Sequence, residues 1–204
     1  MTQKLNLAVL ISGSGSNLQA LIDACKAPDY PAQINIVISN RPDAYGLERA
    51  KKEGIPAIAI DHKDYTSRAA FEAALQNALE QHPVDLICLA GFMRILTAEF
   101  IEKWPHKIIN THPALLPKFG GKGMYGEHVH QAVLNAGETE SGASIHYVIP
   151  EVDQGPLILQ QSVPVRPNDT IETLSARVID QEHIIYPRAV RLIAKEKLKQ
   201  QKQA

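Results

Sequence analysis

The first 110 residues alternate short, largely apolar runs with segments of helical periodicity. Such runs are typical of strands that are covered on both faces, whereas the segments between them repeat apolar residues at helical spacing. The predicted strands are Leu5–Ile11, Ile34–Ser39, Ala57–Ile60, Val84–Ala90 and Lys107–Asn110. The predicted helices are Asn17–Lys26, Tyr45–Glu53, Thr66–Gln81 and Thr97–Lys103. This order predicts an α/β fold with a doubly wound, mostly parallel, Rossmann-like sheet.

The second half of the sequence has a different pattern. A long loop, Thr111–Gly126, precedes a predicted helix over Glu127–Ala136. The segments that follow are two β-rich runs and a helix, namely Ala143–Ile149, Pro156–Val165 and Thr170–Lys197. We expect an antiparallel hairpin and a terminal helix to complete the sheet. Because no repeat or linker divides the chain, residues 1–204 are predicted to form one domain.

The composition is that of an ordinary soluble globular protein, with 45% apolar and 21% charged residues. A formal net charge of −1 gives no basic signature, so neither a nucleic acid nor an anionic membrane is expected as a partner. The longest apolar runs fall well short of the roughly 20 residues of a membrane-spanning helix. Cys25 and Cys88 are interpreted as reduced, buried small side chains. We therefore expect a cytoplasmic protein.

The segment Gly13–Asn17 joins the first predicted strand to the first predicted helix. A helix N-terminus offers unpaired N–H groups and the positive end of the helix dipole, and glycines let an anion approach the backbone. A phosphate site is one interpretation; the other is a tight turn in which Ser16 or Asn17 caps the helix. A dinucleotide fingerprint fits poorly, since Leu18 stands where its third glycine belongs.

Asn110 and His112 follow the fifth predicted strand, at the sheet edge where open α/β proteins bind ligands. Residues two apart on extended backbone point the same way. Asn can donate to a developing oxyanion and His can transfer a proton near neutral pH, which makes the pair a catalytic candidate. The alternative is a loop asparagine and a surface histidine.

Asp153 lies at the tip of the predicted hairpin, where aspartate is common for purely structural reasons. Its alternative role is to orient and charge a histidine. His128 and His130 lack the spacing of a helical metal pair, so no metal site is predicted. The glycine-rich segment Gly120–Gly126 is either a mobile lid or a flexible connector.

Together, five segments resemble the glycinamide ribonucleotide formyltransferases of purine biosynthesis and occur in that family's order. They are Ile11–Leu18, Leu89–Leu96, Asn110–Pro117, Val152–Pro156 and Gln181–His183. The resemblance implies the formyltransferase fold, with a phosphate-binding half over 1–110 and a folate-binding, catalytic half over 111–204. It also implies transfer of a formyl group from 10-formyltetrahydrofolate, as co-substrate, to the amine of glycinamide ribonucleotide without a metal. A homodimer is compatible with it.

The same resemblance implies roles for individual residues. Asn110, His112 and Asp153 match the family's catalytic trio. The residues implied to bind the ribonucleotide are Gly15, Ser16 and Asn17 at the phosphate, with Pro113 and Glu182 beside them. Those implied to bind the folate are Arg68, Met93, Arg94, Ile95, Leu96, Asn110, Ile149 and Val152. The chain departs from shorter family members in the insert Gly120–Gly126 and carries Ile179 where some relatives place a polar contact.

Alternative functions remain open on the sequence alone. Formyltetrahydrofolate deformylase shares the trio but uses water as acceptor and carries an added N-terminal domain, which we do not expect here. Methionyl-tRNA formyltransferase is similar over the catalytic half but carries an RNA-binding domain. An NADP-binding reductase would use Arg41 for the extra phosphate. A folate or nucleotide binder without activity would leave the trio unexplained.

Overall fold

Seven strands form one sheet in the computed structural model, which describes residues 3–203. The strands are β1 Leu5–Ile11, β2 Ala32–Ser39, β3 Ala57–Ala59, β4 Leu86–Leu89, β5 Ile108–His112, β6 Glu140–Tyr147 and β7 Leu157–Pro164. Their order across the sheet is β3-β2-β1-β4-β5-β6-β7. The first five strands are parallel, whereas β6 and β7 form the antiparallel hairpin. The predicted domain of 1–204 includes residues 1, 2 and 204, which lie outside the described residues.

Helices cover both faces of the sheet, as the doubly wound prediction requires. They are α1 Ser16–Cys25, α2 Tyr45–Lys52, α3 Arg68–Glu80, α4 Ala98–Glu102, α5 Glu127–Asn135 and α6 Ile171–Gln203. The apolar residues of α1, α2, α5 and α6 pack on one face, and those of α3 and α4 on the other. Because the central strands are covered on both sides, nearly all of β1 is buried, which explains its long apolar run.

The boundaries of several elements differ from the predictions by a few residues. Helix α3 begins at Arg68 because the hydroxyl of Ser67 accepts a hydrogen bond from the Ala70 amide at 3.1 Å, as an N-cap does. Strand β5 continues to His112 because it pairs with β6 up to that residue. Helix α6 runs through Pro187, whose carbonyl accepts from the Tyr30 hydroxyl at 2.8 Å.

The strand order reverses between β1 and β4, so the carboxyl ends of these strands border a crevice. Tyr186 of α6 is fully buried beneath it, and its hydroxyl donates to the Leu89 carbonyl at 3.0 Å. That bond fixes α6 against the sheet next to the crevice. Among the residues described, no helix combines the length and apolar character needed to cross a membrane.

Candidate active site

Two adjoining cavities lie along the carboxyl edge of the sheet. The larger, of about 590 Å³, extends from the end of β5 to the β6–β7 connection and the Met93–Leu96 segment. The smaller, of about 400 Å³, lies over the Gly13–Asn17 turn. Four residues line both cavities: Asn17, Gly91, Met93 and Arg94. A ligand that spans the boundary would therefore contact both the turn and the end of β5.

The Gly13–Asn17 turn leaves the start of α1 open to a ligand. Gly15 is the N-cap residue, with φ of 71°, and no side chain bonds to the helix start. The first helical hydrogen bond runs from the Gln19 amide to the Gly15 carbonyl at 2.9 Å, so the amides of residues 16–18 precede the helical ladder. The alternative in which Ser16 or Asn17 caps the helix is thus wrong. The Gly13 carbonyl oxygen accepts a hydrogen bond from the Gly46 amide of α2 at 3.0 Å.

Asn110 and His112 point to the same face of β5, as predicted from extended backbone, and both line the larger cavity. The His112 ring is 3% exposed, and its Nε2 lies 2.7 Å from the carbonyl oxygen of Phe119. A carbonyl only accepts, so Nε2 carries a hydrogen and donates it. The other ring nitrogen, Nδ1, faces Asp153 Oδ2 at 3.5 Å. Because Nε2 donates to the backbone, Nδ1 is the ring nitrogen that can gain or lose a proton during a reaction.

Asp153 lies between two histidine rings. Its Oδ1 is 3.6 Å from Nε2 of His146, and its Oδ2 accepts a hydrogen bond from the Gly121 amide at 2.9 Å. The residue has φ of 58°, a left-handed conformation that aspartate tolerates in turns. Asp153 is therefore both a turn residue and a carboxylate aimed at His112, so its two predicted interpretations are compatible.

His146 is a site residue that the sequence reasoning missed. It lies on β6 directly opposite Asn110, is 2% exposed and lines the larger cavity. Burial lowers its pKa, and the neighbouring His112 adds to that effect. A signal was present in the sequence, since Ser144 and His146 are polar residues two apart within the predicted strand Ala143–Ile149, whose other residues are apolar.

Glu182 of α6 supplies a second, almost fully buried carboxyl group to the larger cavity. It accepts hydrogen bonds from Asn17 Nδ2 at 3.0 Å and from the Thr111 hydroxyl at 2.7 Å. Burial raises its pKa, while those two donors act in the opposite direction. The side-chain oxygen Oδ1 of Asn17 is buried and has no hydrogen-bond partner among the residues that the structure describes. The group is thus arranged to receive a ligand that donates hydrogen bonds.

The Met93–Leu96 segment forms an apolar wall of the larger cavity. Met93 and Ile95 are 56% and 45% exposed and line the cavity, so they present apolar surface to a ligand. The Met93 amide donates to the buried Ser12 hydroxyl at 2.7 Å, which ties this wall to the end of β1. Glycine-rich residues 121–126 form part of the opposite boundary. The cavity thus offers apolar surface together with the cation of Arg94, which suits a partly apolar ligand.

The cavities bring together all but one of the predicted site residues. Those lining the larger cavity are Asn17, Met93, Arg94, Ile95, Leu96, Asn110, His112, Pro113, Ile149, Val152, Asp153 and Glu182. Gly15 and Ser16 line the smaller one. Arg68, at the start of α3, is exposed and lines neither cavity, so its folate contact stays a prediction. Ile179 lines the larger cavity. Within residues 3–203, no three His, Cys, Asp or Glu side chains are grouped so that they could hold a metal ion.

Comparisons with known proteins give one consistent family. The profile of the formyl transferase family matches residues 5–190. Phosphoribosylglycinamide formyltransferase from Haemophilus influenzae is 44% identical over 95% of this chain and 89% of its own length. The structure of glycinamide ribonucleotide transformylase 1 from Symbiobacterium toebii is 45% identical, with a TM-score of 0.89 over 95% of this chain and 89% of that one.

A larger relative contains the same unit within a longer protein. The trifunctional purine biosynthetic protein adenosine-3 of Bos taurus is 50% identical over 94% of this chain, which spans only 18% of that protein. The similarity therefore concerns one part of the trifunctional protein. With the family profile covering residues 5–190 and the other relatives matched over nearly their whole length, the chain belongs to the formyl transferase family.

Proposed function

We propose that this protein transfers the formyl group of 10-formyltetrahydrofolate to the amine of glycinamide ribonucleotide, a step of purine biosynthesis. The observation that carries the proposal is the position of Asn110, His112 and Asp153 in a cavity that adjoins an open helix N-terminus through Asn17. One end suits a phosphate and the other a flat, partly apolar molecule. The names of the relatives from Haemophilus influenzae and Symbiobacterium toebii agree with this assignment.

The ribonucleotide is assigned to the junction of the cavities. Its phosphate accepts hydrogen bonds from the open amides of residues 16–18, where the helix dipole favours an anion. The ribose hydroxyls donate to Glu182 and to the unpartnered Asn17 oxygen. Pro113 lies beside them in the larger cavity. This placement directs the amine of the ribonucleotide toward the end of β5.

The formyl folate is assigned to the apolar part of the larger cavity. Met93 and Ile95 supply exposed apolar surface, and Ile149 and Val152 lie in the same lining. When bound, the folate supplies the activated formyl group. Arg94 adds a cation to this lining.

Asn110 and His112 stabilise the charge that develops during transfer. As the amine nitrogen bonds to the formyl carbon, the carbonyl oxygen becomes an oxyanion, and Asn110 Nδ2 donates to it. His112 acts through Nδ1 because Phe119 already holds Nε2. In its protonated form His112 also donates to the oxyanion, and Asp153 at 3.5 Å stabilises that cation.

The protons balance over the complete step. The attacking amine loses one proton, relayed toward Asp153 by a water molecule, as the new carbon–nitrogen bond forms. The bond from the formyl carbon to the folate nitrogen then breaks, and that nitrogen takes a proton from His112 Nδ1. Return of the first proton to His112 restores the site, so the reaction needs no other co-reactant.

The test measures release of tetrahydrofolate from 10-formyltetrahydrofolate with and without glycinamide ribonucleotide. We expect rapid release only when the ribonucleotide is present. Equal release in water alone would overturn the transferase and support the deformylase. Asn110→Ala and His112→Ala should each reduce turnover by about 10²–10³-fold, the usual effect of removing one oxyanion donor. His82→Ala, outside both cavities, is the matched control and should keep normal turnover.

A further inference from the structure

We infer that His146 is a positioning residue that holds the Asn110 amide so that one N–H donates to His146 and the other is directed toward the reacting oxygen. The inference deepens the proposed function and rests on it. His146 is buried and lies directly opposite Asn110 in the β5–β6 ladder. The pairing of β6 with β7 shifts register between Ile145 and His146. Such irregularities re-aim side chains beside active sites.

The backbone selects one form of the His146 ring. Nδ1 lies 2.9 Å from the carbonyl oxygen of Tyr147, which can only accept a hydrogen bond. Nδ1 therefore carries a hydrogen and donates it. In the neutral ring the second nitrogen, Nε2, is then a bare acceptor. The tautomer of His146 follows from one backbone contact.

That tautomer in turn selects the orientation of the Asn110 amide. Nε2 of His146 lies 3.2 Å from Nδ2 of Asn110, and a bare nitrogen can only accept. The amide must present its NH₂ group to His146, so the flipped arrangement, with Oδ1 in that place, would set two acceptors against each other. The second N–H of the same NH₂ group stays free for the oxyanion. His146 thus acts through Asn110 without touching the substrate.

Three neighbouring groups and burial bear on whether the ring stays neutral. The Tyr147 carbonyl that accepts from Nδ1 favours the cation, as does Asp153, whose Oδ1 lies 3.6 Å from Nε2, beyond hydrogen-bond length. Burial and the nearby His112 oppose it, and together they lower the pKa of His146. The neutral ring that the geometry requires is therefore the form favoured at neutral pH.

The first test is rescue by a neutral acceptor. Gln places a carbonyl oxygen near the position of Nε2, so His146→Gln should stay within about tenfold of the normal turnover, whereas His146→Ala should lose about 10²-fold, as for a misplaced oxyanion donor. Both variants are checked for folding by circular dichroism and thermal unfolding. Equal losses in two folded variants would overturn the inference.

The second test is a double-mutant cycle with Asn110→Ala. If His146 works through Asn110, His146→Ala in the Asn110→Ala background should change turnover by no more than about twofold. His130→Ala is the matched control, because this buried histidine lines the same cavity without contacting Asn110, and its effect should be additive. Additive losses for His146 as well would overturn the inference.

A third measurement needs no activity. The ¹⁵N chemical shifts of the His146 ring in the wild-type protein distinguish the two neutral tautomers. We expect the hydrogen on Nδ1 at neutral pH, and finding it on Nε2 would overturn the inference. Failure of the proposed function gives a different result, since normal turnover of Asn110→Ala would show that the amide does not stabilise the reacting oxygen at all.

Discussion

Replacing Gly15 by Ala should destabilise the protein through a contact that the sequence does not reveal. An added Cβ would lie 2.7 Å from the Gly46 Cα, a backbone atom that cannot turn aside. Gly15 also has φ of +71°, which disfavours any residue with a Cβ. The mutation therefore combines conformational strain with overpacking between α1 and α2.

The two contributions can be estimated separately. The left-handed conformation costs an L-residue about 1–2 kcal/mol, and overpacking typically costs about 1–3 kcal/mol, for a sum of about 2–5 kcal/mol. For a domain of this size that corresponds to a fall of roughly 4–20 °C in Tm. The backbone movement forced by the added Cβ would also displace the amides of residues 16–18, so KM for the ribonucleotide should rise. Urea unfolding and thermal melts measure the first effect, and steady-state kinetics the second.

Gly54→Ala is the matched control for the strain alone. Gly54 has φ of +68°, and an added Cβ there would meet nothing within 4 Å. Its loss should be limited to about 1–2 kcal/mol, with unchanged KM. If Gly15→Ala proved no less stable than Gly54→Ala, the close approach of α1 to α2 would carry no energetic weight, and our explanation of this glycine would be refuted.

Two further predictions concern charge. Asp153→Asn keeps a side chain that tolerates φ of 58° but removes the anion facing His112. Turnover should therefore fall by about 10²-fold with little loss of stability. Near-normal turnover would leave Asp153 only its role in the turn. Burial lowers the pKa of His130 and His183 below the ordinary 6.5, so the unfolded chain binds more protons than the folded one under mildly acidic conditions. Tm should therefore fall as pH drops below about 6.5. The fall should be less steep in His130→Gln, and the same pH dependence of Tm in that variant would contradict a contribution from His130.

The fold was largely predictable because local patterns determine it. A strand covered on both faces must be apolar along its length, so β1 could be predicted from its apolar run. The boundaries that were missed depend on partners distant in sequence. Strand β5 reaches His112 only because β6 pairs with it, and no property of residues 108–112 alone reports that pairing.

The site was predictable only in part, for the same reason. Asn110 and His112 could be placed by their position at a strand end, and Glu182 through the family resemblance. His146 depends on the register between β5 and β6, and the anchoring of His112 depends on a carbonyl of the loop, which no side-chain motif records. Backbone groups at Phe119 and Gly121 thus form contacts that sequence patterns cannot show.

The trio is divided between two structural units of the sheet. Asn110 and His112 end a parallel strand, whereas Asp153 reaches them only because β6 pairs with β5 through residues 109–112. Local opening of that pairing would separate the carboxylate from the histidine while leaving the β1–β4 core packed. Such sub-global openings have lower free energies than complete unfolding. The proposed trio is therefore complete only while the β5–β6 pairing is closed, so the free energy of opening that pairing, and not only that of complete unfolding, sets the fraction of chains with an intact site.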